Sequence, residues 1–500
     1  MNKYFLTTPI YYVNDKPHIG HAYTTIIADV VARYYRQKFG FDNVFYLTGT
    51  DEHGAKIAAS AVKAGKTPQE FCDDVSDIFK SKWQELNLSY NHFVRTTDKQ
   101  HEAVVQEVLT RLKSAKTPLG NEVIYQGEHE GLYCVGCEAY VKPEDLVNGK
   151  CPFHNKEPEL IKEKNWYFRL SDYAEILKEK ITNKEPRVLP EQRETEVLSF
   201  IEHGLEDIAI SREKVEWGIP IPFDPKQTTY VWIDALVNYI SALQYPNGDD
   251  FKKYWPANVQ FLAKDILKFH CLIWPALLLA LDLPLPNTLF VHGFFTLNGQ
   301  KMSKTLGNVI DPSDMVAEFG VDATRYLIIS QFPFGDDGDV KQNDFVTKFN
   351  ADLANGIGNL VSRVIGMTEK YCDLTVPEKQ FTAELNLSEF WQNIDRNYQD
   401  FKINENIKAV WDLISWCDGY IDSNKPWALA KEGKQTEVEQ ILFNLLEIIR
   451  NISLAIEPFL PTTAQKISEA LNCDLNFVKK EEVIKPKTKL NKVEPLFLRK

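Results

Sequence analysis

Hydrophobic and polar positions change rhythm several times along this chain. Lys3-Tyr4-Phe5-Leu6-Thr7-Thr8 is aromatic and branched, which predicts a short strand. After a turn marked by Pro9 and Pro17 the spacing becomes helical. Ala22, Ile26, Val30 and Tyr34 recur at every fourth position, Ile27 and Val31 widen the stripe, and Gly40 offers a C-terminal cap. Beyond residue 350 turn signals thin, and positions such as Leu442, Leu445, Leu446 and Ile449 keep one helical face apolar. Residues 1–115 and 221–325 read as the two halves of an α/β fold, a Rossmann-like parallel sheet with alternating helices. Residues 116–220 read as an inserted connective domain, 326–350 as a linker, and 351–500 as an all-α helix bundle with a C-terminal tail.

Five hundred residues are enough for about three domains and a sizeable core. The apolar stretch from Leu272 to Leu285 is broken by Pro275, Asp282 and Pro284 and is too short to span a bilayer. With no cleavable apolar N-terminus, the expectation is a soluble cytoplasmic protein without membrane contact. Eight cysteines in this length fit a reducing compartment. A net charge of -13 argues against a wholly basic nucleic-acid binder, but contact with a nucleic acid requires only a local basic face. Lys479–Lys500 holds eight Lys or Arg against three Glu, and reads either as a solvated tail or as such a face.

Cys134-Val135-Gly136-Cys137 and Cys151-Pro152-Phe153-His154 form a Cys3His set with the paired spacing of structural zinc sites. A lone Cys-x-x-Cys would also fit a redox pair, and the second pair ending in His favours tetrahedral zinc. Four protein ligands leave no open position, so this zinc would organise a domain without catalysing.

His18-Ile19-Gly20-His21 lies where a strand feeds a helix N-terminus, which presents free N–H groups and partial positive charge to a phosphate. Gly20 permits close backbone approach, and two imidazoles can donate to phosphate oxygens. Alone, this is as well read as a turn with two surface histidines. Farther on, Lys301-Met302-Ser303-Lys304 sits between Gly299 and Gly307 with two ammonium groups three residues apart, able to close on a triphosphate as pyrophosphate leaves. Its plainer reading is a solvated basic loop.

With both motifs in this order, the chain resembles the class I aminoacyl-tRNA synthetases, whose two signature sequences these are. Thr305 stands where the family usually has Ser and keeps the hydroxyl. The segments Thr7–Pro17, Thr48–Gly54, Val215–Pro220, Tyr230–Tyr239 and Lys264–His270 are similar to the methionyl-tRNA synthetases in particular. That resemblance implies ATP and L-methionine as substrates, Mg2+ on the phosphates, one structural Zn2+ on Cys134, Cys137, Cys151 and His154, and tRNA(Met), initiator included, as acceptor. It implies a methionine pocket of Tyr12, Trp232, Ile266, His270 and Trp274, with Ile10, Trp217 and Tyr239 added to its walls. A thioether favours such aromatic surroundings. His270 and Tyr12 would lie near the sulfur, and Asp51 would hold the substrate ammonium.

By the same resemblance, Gly20, His21, Asp265, Gly293, Lys301, Ser303 and Lys304 contact the nucleotide, and His18, His21, Lys301 and Lys304 do the catalysis. The family's Gly-Lys-Asp reads Ala263-Lys264-Asp265 here, where the extra methyl would alter nucleotide affinity at most. The bundle would read the anticodon through Asn359, Arg363 and Trp427, and residues 326–350 would contact the stem. Taken alone, Ile266, His270 and Trp274 would pass for core packing, and Trp427 for a core anchor. The methionine carboxylate is already a nucleophile at neutral pH, so activation requires positioning and charge neutralisation without a general base. The methionyl group then passes to the terminal ribose 2'-hydroxyl of tRNA. A monomer is expected, since no dimerising C-terminal module follows the bundle. Two rivals stay open: a class I synthetase for another apolar amino acid, and a catalytically silent tRNA-binding protein on the same scaffold.

Overall fold

A computed structural model describes the chain except for residues 1–2, 15, 135–138, 153–154, 298, 302–308, 476 and 478–479; the side chains of 129, 130, 139, 140, 300, 301 and 342 also lie outside the description. The chain forms two compact units. One comprises Met1–Pro17, Phe45–Ser81 and Tyr90–His292, and the other His18–Val44, Lys82–Ser89 and Gly293–Lys500.

The first unit is built on a six-stranded sheet among the described residues. Its strands are β1 (Tyr4–Tyr12), β2 (Val44–Asp51), β3 (His92–Arg95), β4 (Arg187–Leu189), β5 (Val259–Ala263) and β6 (Thr288–His292), in spatial order β3-β2-β1-β5-β6-β4. β2 with β3, β1 with β5, β5 with β6 and β6 with β4 run parallel. β1 has its chain successor β2 on one side and the distant β5 on the other, so the strand order reverses between β1 and β5. That is the topological switch point where open parallel sheets bind ligands beyond their carboxyl ends. β1 extends four residues past the expected Thr8, to Tyr12. Phe5, Leu47, Leu262, Leu289 and Val291 bury the sheet in a continuous core with Leu236, Tyr239 and Trp274 from the helices, as a two-sided parallel sheet requires.

The same unit carries an antiparallel four-stranded sheet, in which Ile124–Cys134 pairs with Ala139–Val141 on one side and with Glu159–Phe168 on the other, and Glu159–Phe168 with Ile208–Ala209.

The second unit opens with the helix Ile19–Phe39, which stops at Gly40, whose φ of 87° suits glycine. Arg325, on the helix Val321–Ile329, donates to Asp29 of this first helix at 2.7 Å. The bundle comprises Asn359–Cys372, Leu387–Gln399, Ile403–Asn424, Gln435–Ile456 and Pro461–Leu471, and Leu442, Leu445, Leu446 and Ile449 are all buried. The basic tail is packed on this unit. Thr375 bridges to Lys489, Leu490 donates to the Leu374 carbonyl, and Lys487, Lys489 and Lys492 pair with Glu378, Asp373 and Glu369. No described helix is long and apolar enough to cross a membrane.

Candidate active site

In the second unit, His18 and His21 build the end of the first helix. The Gly20 N–H donates to His18 Nδ1 at 3.0 Å and the His18 N–H donates to His21 Nδ1 at 3.1 Å, so the rings form a reciprocal capping box. Both Nδ1 atoms accept, which places the proton of each neutral imidazole on Nε2. The ring centroids are 4.0 Å apart. The Ile19 N–H donates to the Ile310 carbonyl at 3.1 Å, pinning the helix to the chain just beyond the second signature.

Of that signature the backbone of Lys301 is described, on the short strand Gln300–Lys301, opposite Thr296. Ser303 and Lys304 lie outside the described residues. Gly299 turns the chain at φ 76°, and its N–H donates to Asp339 Oδ1 at 2.6 Å. Gly293 has a packing reason of its own, since a Cβ there would stand 2.5 Å from the Asp336 and Asp337 backbone.

In the first unit, the carboxyl ends of β1, β2 and β5 carry the other expected residues. Asp51 ends β2 and is buried, and its carbonyl accepts from Val13 N at 3.1 Å. Ile10, Tyr12, Trp232 and Ile266 are half-buried against the core, and Asp265 is exposed in the turn Lys264–Ile266 after β5.

The expected Ile266, His270 and Trp274 stripe does come together, through a π-helical turn over Phe269–Ile273. His270 Nδ1–H donates to the Ile266 carbonyl at 3.1 Å, and the Tyr239 hydroxyl donates to His270 Nε2 at 2.7 Å. Trp274 lies 5.7 Å from Tyr239 and donates to Gln260 Oε1 at 3.1 Å. Burial lowers the His270 pKa to about 4, keeping the ring neutral, and burial pushes the Tyr239 phenol well above its usual range, keeping it a donor. These groups form a buried, uncharged aromatic cluster, the surroundings that a thioether favours.

Phe269, which the sequence reading did not single out, stacks on Trp232 at 3.9 Å and 11°. Its spacing of three from Ile266 was the available signal, since positions three apart are neighbours on a helix. Trp217 sits at 5.4 Å from His53, and its indole N–H donates to the Glu52 carbonyl at 2.6 Å. It therefore supports the loop after Asp51.

Cys134 ends its strand in register with Ala139, and the Cys151 N–H donates to the Lys156 carbonyl at 2.9 Å. The two cysteines are 2% and 1% exposed. Cys137 and His154 lie outside the described residues.

In the bundle, Asn359 is exposed at the start of its helix and Trp427 is 40% exposed, not a core anchor. Arg363 donates to Asp418 at 2.9 Å and to Asp422 at 3.2 Å. Burial pushes the Asp418 carboxyl up. Sequence reading missed both acids, and also Trp416, which stacks on Tyr420 at 4.8 Å.

A parallel sheet with this switch point, and a histidine-capped helix followed by the lysine signature, define a class I aminoacyl-tRNA synthetase. The family model for tRNA synthetases class I (M) matches residues 4–153 and 128–365, and the anticodon-binding domain of tRNA ligase matches 383–495. The methionine–tRNA ligase of Caldanaerobacter subterraneus is 42% identical over 99% of this chain and 78% of its own length. That of Nostoc is 41% identical, with 99% and 96% covered. Mycobacterium tuberculosis methionyl-tRNA synthetase in complex with methionyl-adenylate superposes at a TM-score of 0.94, with 33% identity and both chains covered in full. The chain belongs to the methionine–tRNA ligase family.

Proposed function

We propose a division of labour among the residues of this chain for the methionine–tRNA ligase reaction. His18 and His21 donate through Nε2–H to the phosphates of ATP, and the first helix adds its positive end. A methionine carboxylate oxygen attacks the α-phosphorus, the bond to pyrophosphate breaks, and Lys301 and Lys304 neutralise the leaving charge. Mg2+, when bound with ATP, would supply further charge neutralisation at the phosphates. Asp265 accepts from the ribose hydroxyls, and Gly20, Gly293 and Ser303 line the nucleotide.

Methionine lies with its side chain among Ile10, Tyr12, Trp232, Tyr239, Ile266, His270 and Trp274, and its ammonium on Asp51. The observation that carries this reading is the neutral, internally bonded Tyr239–His270 pair, which offers a thioether aromatic surface without charge. Pyrophosphate exchange with a panel of amino acids tests it: methionine should give the dominant signal, and a Tyr239→Ala variant that exchanges normally would overturn the pocket. Asn359, Arg363 and Trp427 read the anticodon of tRNA(Met), initiator included; an exposed Trp427 is placed to stack an unpaired base.

Cys134 and Cys151, both buried thiols, fit a structural zinc that Cys137 and His154 would complete. A zinc held there would cross-link the segment and supply no chemistry. Residues 1–115 and 221–325 serve activation, 116–220 the connective role, 326–350 the stem contact and 351–500 the anticodon. We further propose a cytoplasmic monomer.

A further inference from the structure

A buried charge cluster in the first unit has no part in the chemistry above. Asp234, on the helix Val231–Ser241, is fully enclosed and accepts two histidine donors, His53 Nδ1–H on Oδ2 and His101 Nε2–H on Oδ1, each at 2.7 Å. The other ring nitrogen of His101 meets Ser241 Oγ at 2.7 Å, one helix end away. Enclosing a carboxylate is costly unless it is paired and hydrogen-bonded, and here both oxygens are engaged.

The placement of Asp234 and its two histidines matters more than their number. Asp234 stands two residues after Trp232 and five before Tyr239, on the helix that carries these two members of the proposed methionine pocket. His53 stands two residues after Asp51. The chain between them is gripped at each step. Glu52 takes both Nε and Nη2 of Arg95 at 2.8 Å, the Glu52 carbonyl accepts the Trp217 indole N–H, and Gly54 N donates to the Trp217 carbonyl at 3.0 Å. His53 ties this loop to the wall-bearing helix directly, through Nδ1–H on Asp234.

We infer that Asp234, through His53 and with His101 behind it, is a positioning residue that sets the distance between the ammonium-binding Asp51 and the aromatic wall of Trp232 and Tyr239. It touches no substrate. A methionine is gripped at both ends, at its ammonium and at its thioether, so loosening that link weakens methionine binding while the nucleotide side keeps its geometry. This inference rests on the methionine pocket proposed above.

The test is steady-state pyrophosphate exchange with methionine and ATP varied separately. Asp234→Asn and His53→Ala should each raise KM for methionine tenfold or more and change KM for ATP less than twofold. His53→Asn, whose amide N–H replaces Nδ1–H, should bring KM for methionine back to within about threefold of wild type. Should Asp234→Asn fail to fold, the two His53 variants decide, with thermal melting confirming that both are folded. An unchanged KM for methionine in folded His53→Ala overturns the inference, as does a parallel rise in both KM values or a His53→Asn no better than His53→Ala. Tyr239→Ala is the control. If it too leaves KM for methionine unchanged, the pocket assignment fails and the inference falls with it; if it raises KM while His53→Ala does not, the inference alone is overturned.

Discussion

The Tyr239 hydroxyl donates to His270 Nε2 at 2.7 Å, and that single bond orders the polar groups of the pocket. With Nδ1–H committed to the Ile266 carbonyl, His270 has one tautomer and no further donor. Tyr239→Phe leaves a buried acceptor unmet, a cost of about 1–3 kcal/mol. Melting temperature should fall and KM for methionine should rise, with KM for ATP unchanged in pyrophosphate exchange.

His270 also has a pH signature. Its pKa is held at about 4 by burial, below the unfolded value of about 6.5. The unfolded chain binds the proton first, so this contribution is whole above pH 6.5 and is lost as pH falls towards 4. Denaturant unfolding between pH 7 and 4.5 should show a shallower acid loss in His270→Asn than in wild type. His53 has the opposite sign: its pKa is raised, the Asp234 carboxylate outweighing burial, so its contribution is present below pH 6.5 and fades as pH rises through the folded value.

Asp29 and Arg325 join the first helix to the helix Val321–Ile329 through a wholly buried pair, with Ser89 on the second carboxylate oxygen. Arg33, Arg325 and Ser89 overcome burial and hold Asp29 at about 2, so this contribution is present above the unfolded pKa of about 3.9 and lost as pH falls through 2. Arg325→Met removes one of the two guanidinium partners of this buried carboxylate and leaves Arg33 at 2.7 Å, a loss of about 1.5–3 kcal/mol. Denaturant unfolding should show it as a lower midpoint at pH 7.

Loss of either signature should appear in the first step. His21→Ala or Lys301→Ala is expected to slow adenylate formation by about two to three powers of ten, the usual result of removing a donor aimed at developing charge. Methionine binding, measured calorimetrically without ATP, should stay within twofold of wild type. Equal losses in both measurements would place these residues in the scaffold.

The knuckle and the bundle should separate cleanly from activation. Purified protein should carry about one zinc per chain by metal analysis, and Cys134→Ala should lose it and melt earlier. Trp427→Ala and Arg363→Ala should raise KM for tRNA in aminoacylation and leave pyrophosphate exchange intact.

What the sequence determined by itself was local and chemical. The strand at Tyr4, the helix ending at Gly40, the helical bundle and the two phosphate signatures are legible because each rests on a period or a motif a few residues long. The tertiary structure decided what depends on distant partners. Arg325 reaches Asp29 across 296 positions and His53 reaches Asp234 across 181, separations at which no pattern survives in one chain. Three-residue β4 is too short for any period, and it is a strand only because β6 pairs with it. The order of the sheet, the tautomer of His270 and the stacking of Phe269 on Trp232 were likewise set by packing, because burial and hydrogen bonding act on whatever folding brings together.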